Sequence, residues 1–316
     1  MTLVIGTDEA GYGPNLGPLV VAATAWRVAA DAGHPARTTG PEDAFAAFHG
    51  RCPAPPWADS KTVYRAGAGF AALERGVHAA LELLGTSPGD WQALAAACGG
   101  IGPEPGADLG WPRLRTLALP RAAPPETCRR AAEEVGAALA AAGLTLVGIA
   151  CRGVYPGEFN RLLDRGLNKS DILSDATLDL AAGLRDRFPD GDLVVWCDRH
   201  GGRKSYGPLV ARHFSTPLVQ TVEETSARSV YVAPAAKLRI EFSVGGEARL
   251  PVALASMTAK YVRELAMEAF NAFWSDLLPG LAPTAGYPVD AQRWRREATA
   301  AIDAVGIPAA DLWRRA

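Results

Sequence analysis

Carboxylates stand at two places where an apolar run stops. The stretch "LVIGTDEAGYG" (3–13) ends its apolar run in Asp8-Glu9, and "LVVWCDRH" (193–200) ends one in Asp198. Crowded carboxylates repel one another, so a group of them usually holds a cation. Their hard oxygens suit Mg²⁺ or Mn²⁺, and the sequence has no His or Cys cluster to compete for a softer metal. A third source of acids is "ALASMTAKYVRELAMEAFNAFW" (253–274), where Ser256, Lys260, Glu264 and Glu268 recur every four residues on one helical face. A separate stripe there, Met257, Tyr261, Leu265, Ala269 and Phe273, reads as core. The segment after Asp198 is basic, with Arg199, His200, Arg203, Lys204 and Arg212, and would suit a phosphate backbone. Each feature has a plainer reading beside this one. A lone Asp after a strand can cap a helix, a Lys-Glu face can be a solvated i,i+4 pairing, and a basic segment can be a solvated loop.

The elements that must position these residues alternate between strand and helix patterns. Residues 3–7 and 18–28 read as strands, 144–152 as a third, and the continuous apolar run 193–197 as a strand buried on both faces. Helical spacing marks 68–84, 126–142, 156–165, 168–187, 206–214, 252–275 and 290–304. Residues 217–250 read as strands and hairpins. Residues 32–58 show one possible helical turn. Residues 86–125, heavy in Gly and Pro, read as an insertion with little regular structure. Strand ends are where mixed α/β sheets place their chemistry. The acids at 8, 9 and 198 stand at such ends.

Composition sets outer limits. The chain has 316 residues, 48% hydrophobic and 21% charged, enough to bury a sizeable core. A formal net charge of −2 neither marks nor excludes a nucleic-acid binder, because a local basic face can sit on a neutral protein. The five cysteines are scattered and never spaced C-x-x-C, which predicts reduced, mostly buried thiols in a cytoplasmic protein. No apolar run approaches the ~20 residues of a membrane span, and no signal-peptide pattern opens the chain.

Six segments together resemble one family, the type 2 ribonucleases H (ribonuclease HII). "GTDEAGYGPNLGPLVVAA" (6–23) is similar to its opening strand, acidic doublet and glycine turn. "ADSKTV" (58–63) is similar to its Asp-Ser-Lys segment. "RGVYPGEFNRLLDRGLNKSDILSDATLDLAAGL" (152–184) resembles the stretch where an Asn opens a helix. "LVVWCDRH" resembles the strand carrying the third catalytic aspartate. "ALASMTAKYVREL" (253–265) resembles the Ala-Ser-x-x-Ala-Lys-x-x-Arg-Asp helix. "AGYPVDAQRWRREATAAIDAVGIPAADLWRR" (285–315) resembles the C-terminal Gly-Tyr segment, helix and basic end. The order is kept from residue 3 to residue 315.

The resemblance implies an α/β fold with a ribonuclease H-like mixed sheet flanked by helices. It implies a catalytic domain over 1–275, insertions at about 86–125 and 199–250, and a C-terminal helical extension over 276–316. It further implies an endoribonuclease, a hydrolase of the RNA strand of RNA/DNA hybrids, working with two Mg²⁺ or Mn²⁺ ions. Carried over singly, Asp8, Glu9, Asp198 and Glu264 match the catalytic and metal-binding acids. Gly11, Tyr12 and Gly13 match the turn that reads the ribose 2′-hydroxyl, and Tyr287 a tyrosine that stacks on a sugar. Lys61 and Lys260 would lie near phosphate or hold the acids in place. Arg203 and Lys204 would add phosphate contacts from the basic segment. This chain departs from the pattern where Tyr12 replaces an arginine and Glu264 an aspartate. The alternative is a nucleic-acid-binding ribonuclease H-like protein with altered substrate or reduced catalysis.

Overall fold

The structure is a computed structural model that describes residues 1–29, 40–52, 54–64, 69–101, 111–189 and 191–315, without the side chains of residues 61, 62 and 112. In chain order the elements are β1 (Thr2–Ala10), β2 (Leu19–Val28), α1 (Pro41–Arg51), α2 (Ser60–Val63), α3 (Gly69–Leu83), α4 (Trp91–Ala97) and α5 (Pro125–Ala141). Then come β3 (Leu144–Val154), α6 (Pro156–Asp164), α7 (Lys169–Arg187), β4 (Asp192–Asp198), α8 (Gly207–His213), β5 (Gln220–Glu224), β6 (Arg228–Ala233) and β7 (Leu238–Ser243). The chain closes with α9 (Leu250–Leu277), α10 (Pro288–Val305) and α11 (Ala309–Leu312).

Among the described residues the strands form one seven-stranded sheet in the order β3-β2-β1-β4-β7-β6-β5. The pairs β1–β4 and β4–β7 are parallel; the other four are antiparallel. Alternation along β1 divides its side chains between two cores. Val4 faces α9, together with Val20, Ala22 and Trp26 of β2 and Trp196 of β4. Leu3 and Ile5 face α7 and α8, together with Val195 and Cys197. Burial on both faces is why β1 and β4 read as continuous apolar runs. The expected α/β class, a mixed sheet flanked by helices and followed by C-terminal helices, is the architecture found.

Helix α9 is mostly buried along its length and lies against β1 and β2. Gly6 permits this. A Cβ at that position would stand 2.2 Å from the Pro251 carbonyl carbon. The first turn of α9 is then fixed by the Thr24 hydroxyl, which donates to the Pro251 carbonyl at 2.8 Å. A bulge-free strand with a glycine at the crossing thus sets where Ser256, the next polar residue along α9, meets the sheet.

The structure differs from the sequence pattern at two places. Residues 86–125 carry the helix α4 and a 3₁₀ turn, Pro112–Thr116. Asp90 caps α4 by accepting the Ala93 N–H at 2.8 Å, and Trp91 and Leu94 bury themselves in the main core. Dense Gly and Pro on either side conceal a helix of seven residues. Residues 41–51 form three turns, with Pro41 at the first position and Phe45 and Phe48 buried. All five cysteines are free thiols, and four are buried.

A buried carboxylate fastens the end of the insertion. Glu74 of α3 is fully buried and accepts the backbone N–H groups of Arg121, Ala122 and Ala123 at 2.6, 2.6 and 2.7 Å. It also accepts the Tyr261 hydroxyl at 2.8 Å. Burial, with Glu74 alongside, pushes the Tyr261 phenol up. Glu74→Ala removes an acceptor from four donors at once. It should lower the unfolding free energy by about 3 kcal/mol or more. Chemical denaturation reads the loss, and limited proteolysis should show new cleavage between 117 and 124.

Candidate metal centre

Strands β1 and β4 run side by side, and their register pairs Thr7 with Cys197. Asp8 and Asp198 come next on each strand. Matched positions on neighbouring strands point to the same face, here the face that α9 covers. Glu9 follows Asp8. Ligand oxygens of Asp8, Glu9 and Asp198 all lie within 4.8 Å of one another.

The environment of these acids penalises their charge in the absence of a cation. Asp8 is buried, with 6% of its surface exposed. Its carboxyl accepts the Glu9 N–H at 2.8 Å and a hydrogen bond from the Ser256 hydroxyl. Its pKa is nevertheless raised well above the ordinary value, first by burial and then by the negative charges of Glu9 and Asp198. Ser256 in turn shares a hydrogen bond of 2.9 Å with Ser60, at the start of α2. Asp198 accepts the Gly246 N–H at 3.0 Å. A buried carboxylate crowded by two others, with hard oxygen donors throughout, fits a divalent cation such as Mg²⁺ or Mn²⁺.

The three acids line a cavity of about 390 Å³ at the end of the sheet. The turn Gly11–Gly13 forms one wall, and Ser60, Ser256, Lys260 and Tyr287 contribute others. Gly11 has φ +84°, and a Cβ there would meet the Arg263 guanidinium at 2.4 Å, so this position requires glycine. Gly13 is roomier; a Cβ would find only the Tyr287 ring, at 3.8 Å. Tyr287 is half exposed at the rim, not a core aromatic. Tyr12 has the Lys169 ammonium 4.5 Å over its ring, a cation–π contact with the first residue of α7. Burial and Glu9 raise the Tyr12 pKa.

Other expected residues lie elsewhere. Glu264 is placed outside the group of three acids. Its carboxylate pairs with Lys260 at 2.7 Å and accepts the Tyr64 hydroxyl at 3.0 Å, with the Arg263 guanidinium 3.9 Å away. Lys260 is four residues before Glu264 on the same helix, and its side chain captures the acid locally. Burial and Glu264 push the Tyr64 phenol up to about 12. Arg203 is bound to the first turn of α7, pairing with Asp171 and donating to the Ser170 hydroxyl at 3.0 Å. Lys204 is exposed, and neither it nor Arg203 lines the cavity. Lys61 lies in α2, and its side chain is outside the described residues.

Two arginines that the spacing did not single out hold the turn. Arg263 is buried and donates to the Ala285 carbonyl at 2.9 Å, tying α9 to the segment before Tyr287. Arg314, two residues from the last, reaches back to the start of the chain. Its guanidinium donates to the Gly11 carbonyl at 2.7 Å and to the Pro14 carbonyl, while its N–H bonds the Asn15 carbonyl at 2.8 Å. Burial and the nearby Arg263 charge lower its pKa to about 9. Arg314→Met leaves the Gly11 and Pro14 carbonyls without this donor, and an unsatisfied buried acceptor costs about 1–3 kcal/mol. Arg314→Met should therefore lower the unfolding free energy by about 1–3 kcal/mol, read by chemical denaturation. Amide hydrogen exchange across 10–18 should accelerate as well, because the turn loses its two carbonyl anchors.

No protein-family model and no curated protein matches this chain. Solved structures do. Bst-RNase HIII in complex with Mn²⁺ is 13% identical with a TM-score of 0.46, covering 99% of this chain and 66% of that one. The ribonuclease H2 of Pyrococcus horikoshii OT3 is 14% identical with a TM-score of 0.45, covering 98% and 92%. The RNase HII of a PCNA:RNase HII complex from Archaeoglobus fulgidus is 16% identical with a TM-score of 0.42, covering 99% and 94%. The chain thus spans about two thirds of the ribonuclease HIII chain and most of the other two. Among the described residues no helix is long and apolar enough to cross a membrane.

Proposed function

We propose that this chain is a divalent-metal-dependent endoribonuclease that hydrolyses the RNA strand of RNA/DNA hybrids. The observation that carries the reading is the convergence of Asp8, Glu9 and Asp198. They come from segments about 190 residues apart, yet their oxygens lie within 4.8 Å of one another in an open cavity. The order of the six sequence segments supplies the substrate class. Mg²⁺ or Mn²⁺ held by these acids would supply activation of water and stabilisation of the leaving oxygen in an in-line displacement.

The remaining roles fall to the chain's own residues. Asp8, fixed by the Glu9 N–H and the Ser256 hydroxyl, would hold the ion together with Glu9 and Asp198. The turn Gly11–Gly13 borders the cavity, and Gly13, open on its Cβ side, lets backbone approach a sugar closely; the ribose 2′-hydroxyl is what separates RNA from DNA at one position. Tyr287 at the rim offers a ring for a sugar to stack on. Lys260, also in the cavity wall, orients toward Glu264 and adds positive charge near the entering phosphate.

A second reading keeps the metal chemistry and changes the RNA-containing duplex. Tyr12 favours it, because a ring engaged by Lys169 stands where the family resemblance calls for a guanidinium. One experiment separates the two. Labelled RNA/DNA hybrid, single-ribonucleotide duplex, RNA duplex and DNA duplex are incubated with and without Mg²⁺ or Mn²⁺. Metal-dependent cleavage of the hybrid supports the first reading. Cleavage confined to another RNA-containing duplex supports the second. No cleavage of any RNA-containing strand refutes both.

A further inference from the structure

Lys169 stands where a positive charge is disfavoured. It is the first residue of α7, a helix of 19 residues, and a helix carries partial positive charge at its N-terminus. The N–H groups there are already engaged, since the Asn168 side chain accepts from Ser170 at 2.9 Å and from Asp171 at 3.0 Å. The acid of that turn is engaged as well. Asp171 accepts the Asn168 N–H on one oxygen at 3.0 Å and pairs the other with Arg203. Among the described residues no carboxylate pairs with the Lys169 ammonium. Burial and the Arg314 charge lower its pKa.

The ammonium rests instead on an aromatic ring, 4.5 Å from the Tyr12 centroid. Such a contact uses the face of the ring and gives the three N–H donors no oxygen. Tyr12 is held from another side by the loop after Asp198, where a Cβ at Gly201 would lie 3.1 Å from the Tyr12 hydroxyl. Tyr12 lines the cavity of Asp8, Glu9 and Asp198. Lys169 is half-buried, so one ring separates a solvent-accessible cation from the metal centre. Arg203, the other cation near Tyr12, already donates to Ser170 and Asp171.

Resting on the nuclease reading above, we infer that Lys169 contacts a backbone phosphate of the nucleic acid entering the cavity and that Tyr12 is the residue that positions it. A phosphate supplies what the protein leaves out at this corner. Its charge offsets the N-terminal end of α7 and the Arg314 guanidinium, and its oxygens accept the ammonium donors. A contact of this kind sets affinity and register and reads no base. Tyr12 keeps the ammonium beside the cavity by its ring face, so the ring matters to Lys169 and the hydroxyl does not.

The test is binding of the full chain to labelled RNA/DNA hybrids of unrelated sequence, by fluorescence anisotropy in Ca²⁺ across a salt series, with the strands checked for integrity afterwards. The variants are Lys169→Gln, Tyr12→Phe, Tyr12→Leu, the double variant of Lys169→Gln with Tyr12→Leu, and Lys237→Gln, each first matched to wild type in circular dichroism and Tm. Lys237 is the control, exposed just before β7, at the end of the sheet away from Asp198. Lys169→Gln should weaken binding of every hybrid about fivefold or more at ~0.1 M salt and reduce the slope of log K against log salt by about 1. Tyr12→Phe keeps the ring and should stay within about twofold of wild type. Tyr12→Leu should weaken binding, and the double variant should be no weaker than Lys169→Gln alone. An unchanged slope in Lys169→Gln, an equal change in Lys237→Gln, or losses at Tyr12 and Lys169 that simply add overturns the inference while wild-type binding still supports the nucleic-acid reading. Wild type that binds no RNA-containing duplex overturns both.

Discussion

Asp8→Asn should abolish metal-dependent cleavage and, at the same time, raise the stability of the metal-free protein. The loss of rate should be about a thousandfold or more, the upper end of what one preorganised electrostatic partner contributes. The gain in stability has the same origin. Two unit charges 4.8 Å apart repel by roughly 3 kcal/mol at an effective dielectric of about 20, and Asp8 faces two such neighbours. Partial protonation relieves some of this, so a net gain of about 1–2 kcal/mol is expected near neutral pH. The amide oxygen can still accept the Glu9 N–H and the Ser256 hydroxyl, so the local hydrogen bonds survive.

The pH dependence gives this prediction a sign. The Asp8 pKa is raised in the folded state, chiefly by burial and then by Glu9 and Asp198. Between its ordinary value near 3.8 and the raised one, the folded state binds more protons than the unfolded state. Stability from this group is therefore fully present below 3.8 and is lost as pH rises through the raised value. Wild type and Asp8→Asn should have similar unfolding free energies at low pH and diverge in favour of the variant as pH rises. Adding Mn²⁺ should raise the Tm of wild type and leave that of the variant unmoved. Denaturation across pH, with and without Mn²⁺, checks all of this. A variant less stable than wild type at neutral pH would refute the crowding account.

Gly6→Ala should be among the most damaging single-methyl additions to this chain. The new Cβ would stand 2.2 Å from the Pro251 carbonyl carbon and 2.5 Å from the Val252 nitrogen. Both are backbone atoms, so no rotamer change relieves the clash; α9 must lift from β1. Overpacking of a well-fitted core costs typically about 1–3 kcal/mol and here should reach about 3 or exceed it. Lifting α9 also lengthens the Thr24–Pro251 hydrogen bond and draws Ser256 away from Asp8, so activity should fall beyond the loss of folded protein. Gly183→Ala is the control. Gly183 is exposed within α7, an added methyl there would have nothing within 4 Å, and alanine should stabilise by up to about 1 kcal/mol. Urea denaturation of the two variants should move in opposite directions.

The local pattern of the sequence determined a good part of this. Apolar runs that stop at carboxylates marked the ends of β1 and β4, because a strand buried on both faces must be apolar until it reaches the surface. Helical periodicity marked α3, α5, α7, α9 and α10, because one face of each is buried. Asp8, Glu9 and Asp198 were therefore readable as candidates before any contact was known. The short helix α4 was not, because seven residues between glycines and prolines carry too little periodicity to stand out.

Only the tertiary structure decided which polar groups meet. The spacing of Lys260 and Glu264 allowed an ion pair and equally allowed an acid turned to the cavity; the fold, with Tyr64 next to α2 as a second donor, settled the side chain on the pair. The Gly246 N–H that meets Asp198, 48 residues earlier, carried no signal at all. Glu74 and Arg314 are the same case: one bonds backbone 47 to 49 residues away, the other reaches across 303 residues to Gly11. A pattern of side chains along a chain encodes burial, which is periodic. Hydrogen-bond partners brought together by folding have no period, and geometry alone selects them.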